Sequence, residues 1–89
     1  MNMQDKVALI TGATSGIGRA TAQAIAASGA TLYVVCRNRE KGEALLNDLA
    51  AETGNGQLHL LVGDLARQAD IHQVADEFLA TGKPLHLLV

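Results

Sequence analysis

The sequence predicts an α/β fold, a parallel sheet with a helix after each of its first three strands. Short apolar runs without polar alternation recur at Val7–Ile10, Thr31–Cys36, Leu58–Val62 and Leu85–Val89, as expected of strands buried on both faces. Between them the apolar residues recur at helical spacing. Three glycines, Gly12, Gly16 and Gly18, follow directly on the first run, where strand hands over to helix. With right-handed crossovers this order gives a Rossmann-type doubly wound parallel sheet, of which residues 1–89 form the N-terminal β-α-β-α-β-α-β portion of a single domain.

Each element has its own justification. Val7 to Ile10 is too brief for a helix and β-branched at both ends. From Ile17 the period becomes 3.6: Ile17, Ala20, Thr21, Ala24, Ile25 and Ser28 form one stripe, mostly small and suited to close approach to a sheet. Gly29 stands where a glycine ends a helix. "TLYVVC", residues 31 to 36, is a β-branched and apolar second strand. Charged "RNREKGE" opens the second helix, whose stripe is Leu45, Leu46, Leu49 and Ala50; Gly54 terminates it and "GNG" makes a turn. Leu58–Val62 is the third strand. Ile71, Val74, Ala75, Phe78 and Leu79 form the stripe of a third helix, closed by Thr81, Gly82 and Pro84. "LHLLV" is the fourth strand.

The 89 residues are 48% apolar and 18% charged, a composition neither disordered nor membrane-like. A net charge of −2 creates no basic field, so a nucleic-acid partner is not expected. The apolar runs are far shorter than the roughly 20 residues that span a bilayer, and "MNMQDK" lacks the pattern of a signal peptide. The single cysteine, Cys36, excludes an internal disulfide and points to a reducing, cytoplasmic location. At the end of a buried strand it reads as a packing residue. His59, His72 and His86 lack metal-ligand spacing, so no metal site is expected. The chain stops on Leu87, Leu88 and Val89. An open apolar edge there predicts that the segment is the first part of a longer protein and that it self-associates as a homo-oligomer.

The glycines carry the chemistry. A helix N-terminus offers unpaired N–H groups and roughly half a positive charge, which hold a pyrophosphate if no side chain blocks the approach. Gly12 serves the tight turn, Gly16 the close approach of the pyrophosphate, and Gly18 the packing of helix on strand. The P-loop is excluded: Gly18 stands where its lysine is required. The spacing also differs from Gly-x-Gly-x-x-Gly, and three glycines alone are a weak signal; a turn without a ligand is the plainer alternative. The second strand adds to the signal. A ribose 2′-OH is usually met by Asp or Glu about 20 residues beyond the glycines, and a 2′-phosphate by Arg. Here the stretch is "VVCRNRE", with no acid before Arg37. The reading is NADP(H), with Arg39 and Lys41 adding to the field; the alternative for Arg37 is a solvated charge at a helix start.

"TGATSGIG", Thr11 to Gly18, resembles the Thr-Gly-x-x-x-Gly-x-Gly signature of the classical short-chain dehydrogenases/reductases. "GDLA", residues 63 to 66, resembles the family's Asp-Leu/Val pair after the third strand. "CRN" is similar to the same stretch in NADP-preferring members. The resemblance implies that Thr14, Ser15, Ile17 and the backbone through Gly18 contact the phosphates. It gives Arg37 and Asn38 the 2′-phosphate, Asp64 the adenine amino group, and Leu65 the face of the ring. It also implies that the Asn-Asn-Ala-Gly stretch, the catalytic Ser and the Tyr-x-x-x-Lys lie beyond Val89. Tyr33 is no substitute: it sits inside a strand and its +4 residue is Arg37.

The expected function is therefore hydride transfer between NADP(H) and a small carbonyl or alcohol substrate, with this segment supplying the cofactor-binding half and no catalytic residue. The alternative, from a different class, is a non-catalytic NADP(H)-binding or interaction module.

Overall fold

A computed structural model describes residues 3–13 and 16–89. The elements run β1 (Val7–Thr11), α1 (Gly16–Ala27), β2 (Thr31–Cys36), α2 (Arg39–Thr53), β3 (Leu58–Val62), α3 (Gln68–Leu79) and β4 (Leu87–Leu88). The four strands form one sheet in the order β3-β2-β1-β4, and every neighbouring pair is parallel. The predicted doubly wound α/β order is present. The chain walks outward from β1 to β3, then returns to lay β4 on the other side of β1. The direction of winding reverses there, and in open sheets of this kind the crevice beyond the strand C-termini at the reversal takes ligands.

Alternating side chains of the strands feed two cores. On one face Ala8, Ile10, Leu32 and Val34 pack with Ala22, Ile25 and Ala26 of α1 and with Leu45 and Leu49 of α2. On the other, Val7, Tyr33, Val35 and Leu61 pack with Val74 and Phe78 of α3. Tyr33 sits at the centre of this second core, stacked on His59 at 4.8 Å and meeting Phe78 edge-on at 5.1 Å. Cys36 is buried at the end of β2.

Three expectations change. The core-facing stripe of α1 is Ala22, Ile25 and Ala26, with Gly18 against the strand turn; Ile17, Ala20 and Ala24 face outward. Of the predicted stripe only Ile25 is buried. In α2 and α3 the stripe is narrower than read: Ala50, Ile71, Ala75 and Leu79 are exposed. The fourth strand covers Leu87–Leu88 rather than 85–89. Its hydrogen bonding nevertheless continues at both ends: the His86 N–H donates to the Val7 carbonyl, and the Thr11 N–H to the Val89 carbonyl. The Val7 N–H donates to His86 Nδ1 at 2.9 Å, so an imidazole extends the ladder beyond the backbone of β4.

Candidate functional site

Three strand ends frame the crevice. At the end of β1 the chain turns through Gly12, whose φ is +65°, and enters α1 at Gly16, whose φ is +60°. Both are left-handed values that only glycine adopts at little cost. A Cβ placed on either would meet nothing within 4 Å, so these positions look into open space. Gly18 is the opposite case. A Cβ there would lie 2.9 Å from the Gly12 carbonyl carbon and 3.2 Å from Ala13 Cα, and closer still to the Gly12 carbonyl oxygen. Helix and strand turn are therefore in backbone contact at Gly18, and Ala13 is buried beneath them. The roles expected of Gly12 and Gly18 match this geometry. Ile17, in the first turn of α1, is 86% exposed. Thr14 and Ser15 lie outside the described residues.

At the end of β2, Cys36 turns inward, its Sγ donating to the Asn38 carbonyl at 3.3 Å. Arg37 is exposed and has no hydrogen bond or ion pair among the described residues. Asn38 caps α2: its Oδ1 accepts from the Lys41 N–H at 3.0 Å, and its Nδ2 has no partner among the described residues. An Asn immediately before a helical segment is a known cap signal, and it makes this second duty legible. Arg39 lies 3.7 Å from Glu43, one turn on, so part of its charge is already answered. No carboxylate stands between Cys36 and Asn38.

At the end of β3 the loop 63–67 is closed by its own backbone. The Arg67 N–H donates to the Asp64 carbonyl at 2.9 Å, and the Ala66 N–H to Asp64 Oδ1 at 2.9 Å. The Asp64 N–H donates to Oδ2 of Asp70, in the first turn of α3, at 2.8 Å. Asp64 is half-buried and Leu65 is 41% exposed. Asp70 was not among the residues singled out from the sequence.

These features fit an anionic dinucleotide: open space over two glycines at a helix mouth, an unanswered guanidinium one strand along, and a free carboxylate oxygen one strand further. An open depression of about 400 Å³ lies at the opposite end of the sheet, lined by Gln4, Ala26, Gly29, Thr53, Asn55 and Gln57. Asn55 there is committed to structure, its Nδ2 donating to the carbonyls of Ala26 and Ala30 at 2.9 and 2.8 Å.

The chain is 43% identical to mouse (Mus musculus) retinol dehydrogenase 11 over 89 residues, all of this chain and 28% of that protein. It is 42% identical to mouse polyprenol dehydrogenase over 84 residues, 94% of this chain and 25% of that one. The chain thus spans about a quarter of the length of these relatives. Among solved structures it is similar to L-sorbose reductase from Gluconobacter frateurii complexed with NADPH and L-sorbose. The TM-score is 0.86 at 27% identity, over 99% of this chain and 33% of that one. A metagenomic short-chain oxidoreductase in complex with NADP gives a TM-score of 0.86 at 29% identity, over 97% of this chain and 38% of that one. The family model for short chain dehydrogenase matches residues 6–89, and the chain belongs to that family.

Proposed function

We propose that residues 1–89 are the N-terminal part of one Rossmann domain and form the adenosine-phosphate half of an NADP(H) site. The complete protein moves a hydride between that cofactor and a carbonyl or alcohol. The observation that carries the cofactor choice is Arg37: an exposed guanidinium without a partner among the described residues, at the end of β2, where no acid is present to meet a ribose 2′-OH. Two solved relatives of this fold were obtained with NADPH or NADP, which supports the reading.

The bound nicotinamide would supply the hydride chemistry, and this chain's residues would bind and orient it. The backbone between Gly12 and Gly18, with Thr14 and Ser15, would hold the pyrophosphate, and Ile17 would lie against it. Arg37 and Asn38 Nδ2 would hold the 2′-phosphate, Asp64 the adenine amino group and Leu65 the ring. Tyr33 is 5% exposed inside the second core and supplies no proton to a substrate. The catalytic groups belong to segments beyond residue 89. A homo-oligomer and a cytoplasmic location complete the reading; sedimentation and cell fractionation test them.

The decisive experiment measures affinities of the complete protein for NADPH and NADH, before and after Arg37→Asp. A charge-assisted contact is worth about 1.5–3 kcal/mol, so the wild-type preference should be roughly 10- to 150-fold and should vanish or invert in the variant. Two affinities that barely change would remove Arg37 from this role.

A further inference from the structure

We propose that Asp70 is a positioning residue for adenine recognition, holding the 63–67 loop so that the free oxygen of Asp64 meets the base. This inference rests on the proposed role of Asp64.

Every polar group of Asp64 except one is used inside the protein. Its N–H goes to Asp70 Oδ2 at 2.8 Å, its carbonyl accepts from the Arg67 N–H, and its Oδ1 accepts from the Ala66 N–H. Only Oδ2 has no partner among the described residues. The bonds from Arg67 and Ala66 are local and close a short turn upon itself. The bond to Asp70 is different, because it ties that turn to the first turn of a twelve-residue helix. Asp70 is the third residue of α3 and reaches back past the cap. Arg67, at the cap position, makes no side-chain capping bond. The helix is in turn fixed to the sheet through Val74 and Phe78, both buried. A carboxylate at this helix N-terminus also interacts favourably with the macrodipole. The chain of support runs from core to helix to Asp70 to Asp64. Without Asp70 the loop keeps its internal turn but loses its anchor, and a carboxylate displaced by about an ångström loses much of a directional hydrogen bond.

The test compares NADPH with reduced nicotinamide hypoxanthine dinucleotide phosphate, which carries a carbonyl in place of the adenine amino group. Affinities of the complete protein for both are measured by titration in wild type, Asp64→Asn, Asp70→Ala, Asp70→Asn and Asp70→Gln. Wild type should favour NADPH about tenfold or more, the worth of a hydrogen bond to a charged acceptor. Asp70→Ala should reduce that ratio to about two- or threefold through weaker NADPH binding, with the hypoxanthine analogue little affected. Asp70→Asn keeps a carbonyl acceptor of the same length and should restore most of the ratio. Asp70→Gln sets the acceptor one methylene further out and has the higher helix propensity. It should behave like Asp70→Ala, and it gives the answer if the alanine variant does not fold. If Asp64→Asn lowers the ratio while Asp70→Ala and Asp70→Gln leave it at the wild-type value, Asp70 has no positioning role and the reading of Asp64 stands. If wild type does not discriminate, the adenine role of Asp64 fails and the inference falls with it.

Discussion

Gly18→Ala sets two opposing effects against each other, and the structure decides between them. In an exposed helix interior, replacing Gly by Ala gains about 1 kcal/mol of helix propensity. At position 18 the added Cβ would lie 2.9 Å from the Gly12 carbonyl carbon and 3.2 Å from Ala13 Cα, whereas ordinary contact begins near 3.4 Å. All the neighbours are backbone atoms, so no side chain can swing aside. The first turn of α1 must withdraw from the strand turn by at least half an ångström. Inserting a methyl into such a contact costs about 1–3 kcal/mol, and the upper end applies where the backbone itself must move. A net loss of about 1–2 kcal/mol remains after the propensity gain. The withdrawal also spreads the amides that the pyrophosphate would use, so NADPH affinity should fall together with stability. Urea denaturation and cofactor titration of the complete protein measure the two. A variant as stable as wild type, or more stable, would show that helix and strand turn are not in contact at this glycine.

Three further outcomes follow from other parts of the molecule. His59, stacked on Tyr33, has its pKa lowered from its ordinary value near 6.5, first by partial burial and then by the charge of Lys83. The unfolded chain therefore binds this proton more readily, and the contribution is full above pH 6.5 and is lost as pH falls below it towards the folded-state value. Urea midpoints between pH 5 and 7.5 should show a slope in wild type that is reduced in His59→Gln. Asn55→Ala removes two hydrogen bonds to the carbonyls of Ala26 and Ala30, and should cost about 1–3 kcal/mol by the same assay. Ile17→Ser deletes an apolar side chain that is 86% exposed, so stability should change by no more than about 0.5 kcal/mol while NADPH binding weakens several-fold. A stability loss well beyond that would return Ile17 to the core.

The strands were legible because their signal is continuous: a run such as Thr31–Cys36, buried at every position, reads only one way. The helix stops were legible too, since Gly54 caps α2 in the left-handed conformation expected of it. The face of α1 was not. Alanines at 20 and 24 and at 22 and 26 offer equal hydrophobicity to either side, and Ile17, one of the two isoleucines of α1, tips the pattern outward. The contact residue is Gly18, which carries no hydrophobic weight and acts by being absent. Around the candidate site, the turn at Gly12 and the close packing at Gly18 were legible because each answers a local backbone demand. Asp70 in the site, and Asn55 at the far end of the sheet, were not legible, because both bind backbone atoms, and a backbone partner leaves no trace of its identity in the sequence. The two carbonyls that accept from Asn55 Nδ2 are 25 and 29 residues away.

The proposed site is built on two kinds of footing, and they separate binding from folding to different degrees. The strand β1 is paired on both edges, and Ala8 and Ile10 are wholly buried. The turn that would hold the pyrophosphate is a continuation of that strand and meets the backbone of α1 at Gly18. Any change there alters the fold and the site together. Arg37 follows directly on the next strand, is exposed, and has no hydrogen bond or ion pair among the described residues. On the proposed reading, substitutions at 37 should retune the choice of cofactor at almost no cost in stability, whereas Gly18 cannot gain a side chain without displacing the first turn of α1. In the proposed site, a rigid cradle beside an adjustable selector would follow from placing one where helix and strand turn meet at Gly18 and the other at a solvated strand end.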